Sequence, residues 1–507
     1  MAKSKTFAAI DVGSHNVTMK LIEKTEKGYS ELENVSHVID LGTDTYMEGR
    51  IRFPMVEQCC TTLKGFSKIM KDYRTSNYVA LATSALREAS NKDYILAQIT
   101  LETGLKVTVI NNSTERYLDS MAVIAKCPSF SQMTNEGILL VDVGAGSIQV
   151  SLYSGGHLTS SHNIRLGSLR VRELLSDLEK KTLSYTEVLD EYIKINIASC
   201  CSQLDLANKP VHFIGMGPVA RYLKKVASSG DEITRKKFYD LCNMLSNTQA
   251  DDIALQYGIP WESAELLLPS AFIWRQFLNL TNAQRLLIPS VDLCDGIIAN
   301  WLFTNYPVKG DYDLENDILE NARFLAKRFH CNEKHAKKVE KFAVKLYRSL
   351  QSRHGFGSRQ LLLLRLAAIL QDIGEFISST NLHHSSYDIL KNSEILGLSH
   401  REREIVALVI KYSSHEKPSP SEVPSQHLIT VARLSAILKL ASALDYSSSG
   451  KIQMLKTSIK NKRFVISVTA TEDLTLEKWE FGNMTDFFEE VYGLLPELKI
   501  EQIENKK

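Results

Sequence analysis

The 507-residue sequence has no excess of charge of either sign: 60 lysines and arginines face 59 aspartates and glutamates, a net charge of +1. That balance excludes a global basic field drawing the chain to nucleic acid, so any polyanion site has to be a local patch. No apolar run approaches the ~20 residues a membrane span needs. The opening Met-Ala-Lys-Ser-Lys-Thr carries no signal-peptide pattern. Eight cysteines include two adjacent pairs, Cys59-Cys60 and Cys200-Cys201, but none has CxxC or metal-finger spacing. Buried, reduced thiols in a cytoplasmic protein are the expectation. What remains is ordinary globular usage, 44% hydrophobic and 23% charged, with length for several domains at roughly 100–200 residues each.

Up to Trp301 the chain alternates strand and helix signals, the mark of an α/β architecture. Strands are expected at Phe7–Ile10, along Val17, Met19 and Leu21, and at Tyr78–Ala82, Lys106–Ile110, Ile138–Val141, Ile148–Tyr153 and Val211–Ile214. One unit recurs. Ile10-Asp11-Val12-Gly13-Ser14 returns as Val141-Asp142-Val143-Gly144-Ala145-Gly146-Ser147, each copy between an apolar and an alternating strand. Such self-similarity predicts a duplicated, two-lobed fold with a cleft between the lobes. Residues 304–316 read as a linker, and helices dominate beyond it. His335, Val339, Phe342, Leu346 and Leu350 share one helical face, and Leu361–Leu370 reads as a buried helix. Arg401–Tyr412 and Ile429–Leu444 are further helices. Alternation through Phe464, Ile466 and Val468 predicts a small closing sheet or hairpin, and 501–507 a frayed end.

An Asp-x-Gly turn between strands leaves backbone N–H groups for an anion, and its aspartate can hold a metal that offsets phosphate charge. Gly13, Ser14 and His15, with Gly144, Ala145, Gly146 and Ser147, are the phosphate-binding candidates, and Asp11 and Asp142 the metal ligands. A third turn contributes Gly215 and Gly217. Glu115 opens a helix after strand Lys106–Ile110; with Asn112 as N-cap it takes a capping-box position, which favours a structural role. The same helix N-terminus also suits a carboxylate that orients water towards phosphate. Ser84 can cap its helix, and Arg87, a cation in a first turn, hints at an anionic ligand.

Together these segments resemble the exopolyphosphatase and guanosine pentaphosphate phosphohydrolase (Ppx/GppA) family. The two Asp-x-Gly turns resemble its phosphate motifs, Ala82–Ala89 its Thr-Ser-Ala-x-Arg-x-Ala segment, Arg165–Arg170 its Gly-x-x-Arg segment, and Asp292–Gly296 its acidic-glycine motif. The resemblance implies an actin-like (ribonuclease H-like) duplicated two-lobed ATPase fold, followed by an all-α HD-like domain and a short C-terminal β region. The expected domains are lobes at 1–130 and 131–305, a helical HD-like domain at 306–450 and a C-terminal α/β region at 451–507. The resemblance also makes Glu115 the catalytic base, reversing the capping reading, and Arg87 is the second catalytic candidate. Mg²⁺ is the implied cofactor. The implied function is release of terminal phosphate from polyphosphate or guanosine pentaphosphate, with a weakly active or inactive polyphosphate or (p)ppGpp sensor as the alternative. Neither nucleic acid nor a membrane is an expected partner, and homodimerisation is left open.

Departures from the family pattern are specific. Gln149 stands where the second phosphate motif carries a glutamate; an amide can still ligate Mg²⁺ but adds no charge and takes no proton. In the helical half, His335 and Asp372 match HD metal-site positions, while Gln371 and Ser442 replace ligands, so a scaffold without metal is expected. His383-His384, adjacent on a helix, point about 100° apart and do not restore a site. Lys334, Lys337, Lys338 and Lys341 form a basic stripe, either a solvated face or a track for a phosphate chain.

Overall fold

The strand signals condense into two sheets of one design. In a computed structural model, which describes residues 6–502 apart from 27, 180, 183, 202–203, 205–208, 307–312 and 471, the chain divides into two compact units, Met1–Asp317 and Ile318–Lys507. Residues 307–312 of the expected linker and residues 503–507 of the expected frayed end lie outside the described residues, as do the side chains of Cys200 and Cys201, while residues 501–502 continue the last strand.

The first sheet contains β1 (Thr6–Val12), β2 (Asn16–Thr25), β3 (Gly28–Val38), β4 (Tyr78–Ala82) and β5 (Val107–Val109), in spatial order β3-β2-β1-β4-β5. β1, β2 and β3 are antiparallel neighbours, and β4 and β5 run parallel to β1. The second sheet contains β6 (Ile138–Val143), β7 (Ile148–Ser154), β8 (His157–Ile164), β9 (His212–Met216), β10 (Glu232–Thr234) and β11 (Arg285–Leu287). Its order β8-β7-β6-β9-β11 repeats the first sheet strand for strand, with β10 added at the edge beside β11. The motif repeat in the sequence is therefore a repeat of topology, and the first unit is the actin-like duplicated fold. The central strands β1 and β6 are apolar runs because both faces are covered. β3 and β8, too polar to signal themselves in sequence, are outer strands beside β2 and β7.

The helix Leu293–Asn305 follows the second sheet but packs into the first lobe's core, with Cys294, Ile297, Ile298 and Trp301 against Phe7, Ala9 and Leu118. Phe7 and Trp301 stack at 4.4 Å. Gly296 permits this approach to the helix Asn112–Lys126: a Cβ there would lie 2.2 Å from the Leu118 carbonyl oxygen. The helix that carries Glu115 is thus held by the element that carries Asp292.

In the second unit the helices Glu333–Ser349, Ser358–Leu370, Leu382–Asn392, His400–Lys411 and Ser425–Ala443 share a core. Ser358–Leu370 is buried as its apolar run requires. β12 (Ile452–Lys460), β13 (Arg463–Ala470) and β14 (Leu495–Gln502) form the closing sheet, antiparallel then parallel. The parallel pairing of β14 needs the intervening helices Thr475–Asn483 and Thr485–Tyr492, a crossover that a hairpin lacks.

Candidate active site

Both Asp-x-Gly turns open on one cavity of about 310 Å³ in the first unit. Each turn closes on itself in the same way: the Gly13 amide donates to the Asn16 carbonyl at 2.9 Å and the Gly144 amide to the Ser147 carbonyl at 3.0 Å. The next two amides of each turn, those of Ser14 and His15 and of Ala145 and Gly146, find no backbone acceptor among the described residues. They are the donors an anion nest requires.

Asp11, Gly13, Ser14, His15, Asp142, Gly144, Ala145, Ser147, Gly217 and Glu115 all line the cavity. Four expected site residues do not. Gly215 lies in β9 with its Cα under Trp274, where a Cβ would come within 2.8 Å of the indole, so this glycine serves packing. Gly146 is closed over by the Tyr46 hydroxyl, 2.0 Å from where its Cβ would be. Gln149 is buried opposite Asp142 in the β6–β7 register, 2% exposed, rather than on the cavity wall. Arg87 donates to Glu115 at 2.9 Å and to the Ile110 carbonyl at 2.8 Å. The anion implied by its first-turn position is the protein's own carboxylate.

Three local readings are corrected. Asn111, not Asn112, caps the helix of Glu115, accepting from the Thr114 amide at 2.9 Å. Glu115 therefore falls one residue past the capping-box position, and its carboxylate turns to Arg87. Ser84 does not cap its five-residue helix; its hydroxyl bonds Ser14 at 2.7 Å and Tyr46 at 3.0 Å. His15 is tied at both ring nitrogens, to Asp40 at 2.5 Å and to Ser263 at 3.4 Å. Its side chain thus braces the turn, and its amide is the group that faces an anion.

Sequence reasoning missed Asp119 and Lys20, which also line the cavity, as does Asp292 of the acidic-glycine motif. Asp119 is four residues after Glu115, so both project from one helical face, a spacing that could have signalled it. Lys20 bonds Asp292 at 2.8 Å and Asp295 at 2.7 Å, and the two aspartates also form the capping box of Leu293–Asn305. Across the cleft, Arg170 holds both Glu88 oxygens at 2.8 Å, donates to the Gly146 carbonyl and lies 4.1 Å over the Tyr46 ring.

The carboxylates are crowded. Burial, then Asp292, Glu115 and Asp142, push Asp11 well above the usual carboxylate range. Burial and Glu115 raise Asp142 to about 7. Asp119 is raised by burial and by Asp142, Glu115 and Asp11, against a smaller opposing effect of Arg116. Asp11 Oδ1, Asp119 Oδ2 and both amide atoms of Gln149 are buried without a hydrogen-bond partner among the described residues. Buried, unsatisfied, mutually repelling oxygens fit a hard cation, and Asp11 and Asp142 are the residues that would hold Mg²⁺. Among the described residues no three His, Cys, Asp or Glu side chains converge into a complete cage. Mg²⁺ is commonly held by one or two carboxylates, with waters and substrate phosphates completing its shell, so this set suffices.

With this geometry in view, the likeness to known proteins is informative. The Ppx/GppA phosphatase family matches over residues 22–305, and the family's domain III over residues 320–483. The chain belongs to the Ppx/GppA phosphatase family. It is an exopolyphosphatase-like phosphohydrolase. It is 21% identical over 86% of its length to the guanosine-5'-triphosphate,3'-diphosphate pyrophosphatase of Pseudoalteromonas translucida, covering 87% of that protein. It is 29% identical over 36% of its length to a bifunctional 3-dehydroquinate synthase/phosphatase of Fusobacterium nucleatum, spanning 28% of that protein. An exopolyphosphatase structure from Cytophaga hutchinsonii shares the fold with a TM-score of 0.53 at 17% identity, covering 59% of this chain and 98% of that one. Among the described residues no helix is long and apolar enough to cross a membrane.

Proposed function

We propose that the chain releases terminal phosphate from inorganic polyphosphate or guanosine pentaphosphate, in the cytoplasm and with Mg²⁺. The observation that carries this reading is the convergence of both Asp-x-Gly turns, Glu115 and Asp119 on one cavity. The amides of Ser14, His15 and Ala145 hold phosphate oxygens, as preorganised dipoles that need no reorganisation during reaction. Arg87 fixes the orientation of the Glu115 carboxylate, which takes the proton of the attacking water. The new P–O bond forms to that water, the terminal anhydride bond breaks, and the bridging oxygen leaves with the shortened chain. Mg²⁺, held at Asp11 and Asp142, would offset the charge of the phosphates and of the leaving oxygen.

The second reading is a sensor that binds such anions with little turnover. Gln149 in place of a carboxylate favours it, since the amide brings no charge to the Asp142 side of the site. Phosphate release from long-chain polyphosphate and from guanosine pentaphosphate, measured side by side with and without Mg²⁺, separates the two. Mg²⁺-dependent release from either supports the enzyme; tight binding without release supports the sensor.

A further inference from the structure

The helix Asn112–Lys126 turns two acids towards the cleft, and only one of them has a protein partner that accounts for it. Glu115 is held by Arg87 at 2.9 Å. Asp119, one turn further on, lines the same cavity while only 5% exposed, and its Oδ2 is buried with no hydrogen-bond partner among the described residues. Arg116, one turn back, does not offset it: burial and the charges of Asp142, Glu115 and Asp11 all act on Asp119 more strongly than Arg116 does. Leu118, Met121, Ala122 and Val123 are buried on the same stretch of helix. A buried carboxylate among them is destabilising unless something completes it.

The packing of this helix shows what Asp119 faces. Ser120, the next residue, bonds the Tyr153 hydroxyl at 3.0 Å. Side chains alternate along a strand, so Tyr153, Ser151 and Gln149 share one face of β7. The β6–β7 register puts Asp142 on that face, opposite Gln149. The helix therefore meets the sheet face that carries Asp142 and Gln149, and of the charges around Asp119 that of Asp142 acts on it most strongly.

The surroundings of Asp142 are thus unequal. Its neighbour on the strand is an amide, Gln149, which brings no charge. From the helix comes a carboxylate, Asp119. Mg²⁺ keeps several waters when one or two carboxylates hold it, and no three acids converge into a cage among the described residues. The other oxygens of the site are left to serve the waters of the ion's shell, and an ionised oxygen accepts such hydrogen bonds about twice as strongly as a neutral one.

We infer that Asp119 is a positioning residue for Mg²⁺: it accepts hydrogen bonds from the ion's water shell beside Asp142 and supplies from the helix the negative charge that Gln149 does not supply from the strand. This role rests on the Mg²⁺-dependent reading of the cleft.

The test is Mg²⁺ binding to the full chain without substrate, by calorimetric titration and by melting temperature in EDTA and in Mg²⁺. Asp119→Asn, nearly isosteric, should weaken Mg²⁺ binding about 10–100-fold, the usual effect of a group that supports a metal. The Mg²⁺ concentration for half-maximal phosphate release should rise by the same factor. In EDTA the variant should melt at least as high as the parent, because one of several crowded acids is gone, and Mg²⁺ should raise its melting temperature less. The double variant Asp119→Asn/Gln149→Glu returns a carboxylate to the side of Asp142 and should bind Mg²⁺ about tenfold more tightly than Asp119→Asn alone. An Asp119 that only supports the fold gives the opposite pattern: a lower melting temperature in EDTA, unaltered Mg²⁺ affinity and no recovery in the double variant. That pattern, or failure of Asp119→Asn to fold, overturns the role of Asp119 and leaves the Mg²⁺ dependence of the parent standing. A parent that binds no Mg²⁺ and releases phosphate undiminished in EDTA overturns both.

Discussion

The cleft and the cluster around His335 are built from the same kinds of side chain, yet they are finished differently. In the helical unit His335 bonds Asp445 at 2.8 Å and lies 3.8 Å from Asp372. Gln371 reaches His335 at 3.3 Å and accepts from Ser442 at 2.8 Å. Each of these groups has a protein partner, and the two substituted ligands bond one another. At the cleft Asp11 and Asp119, and behind its wall Gln149, keep buried polar atoms with no partner among the described residues, and three aspartates are pushed up together. A buried polar group left unsatisfied is destabilising by about 1–3 kcal/mol. A fold keeps several together where a ligand completes them, and closes the network where none does. His383 and His384 follow the second pattern: they bond Ser413 and Glu416 separately and share no target.

The largest expected effect tests the open side of this contrast. Glu115→Gln should leave the thermal midpoint nearly unchanged and cut phosphate release at least ~10²-fold, the scale of a lost general base. Release at the parental rate would remove Glu115 from the mechanism.

Gln149→Glu sharpens the contrast by adding a charge to the open site. The variant should be faster by about tenfold and need less Mg²⁺, the usual size of a supporting group's effect on a metal site. Without Mg²⁺ it should be less stable, because the new carboxylate lies opposite Asp142. A Mg²⁺ titration of release and of melting temperature reads both arms. Unaltered rate and Mg²⁺ requirement would mean that the site has been rebuilt around the amide.

On the closed side, His335→Ala should lower stability by about 1–3 kcal/mol, since Asp445 Oδ2 loses its buried partner. Phosphate release per folded molecule should not change. Elemental analysis of the parent should find no stoichiometric transition metal; one bound between His335 and Asp372 would break the comparison.

The smallest effect is in pH. Burial pushes the His335 imidazole down, but the Asp445 hydrogen bond and the charges of Asp372 and Asp445 outweigh it, and the net shift is upward. A raised imidazole stabilises the fold fully below the ordinary histidine value of about 6.5 and loses that contribution as pH climbs through its folded value. The parent should therefore lose more of its melting temperature than His335→Gln between pH 6 and pH 8.5. Parallel curves would place the proton elsewhere.

Much of this protein was legible along the chain because the physics is local. Apolar runs marked β1, β4, β6 and β9, and the 3.6-residue face of His335, Val339 and Phe342 marked its helix. The repeated Asp-x-Gly turn announced a duplicated fold and two turns of one geometry on a single cavity, since a glycine-rich strand exit has the same geometry wherever it occurs. What only the tertiary structure decided are the choices between partners distant in sequence. Arg87 looked like a ligand for substrate until Glu115 was seen to satisfy it, and Ser84 looked like a cap until Ser14 and Tyr46 were seen beside it. Lys20 meets Asp292 and Asp295 because Gly296 lets a late helix press back on the first lobe. Propensity and spacing describe what a residue offers; hydrogen bonds and ion pairs are short-ranged, so which offer is taken is fixed only when the packed fold brings the partner within about 3 Å.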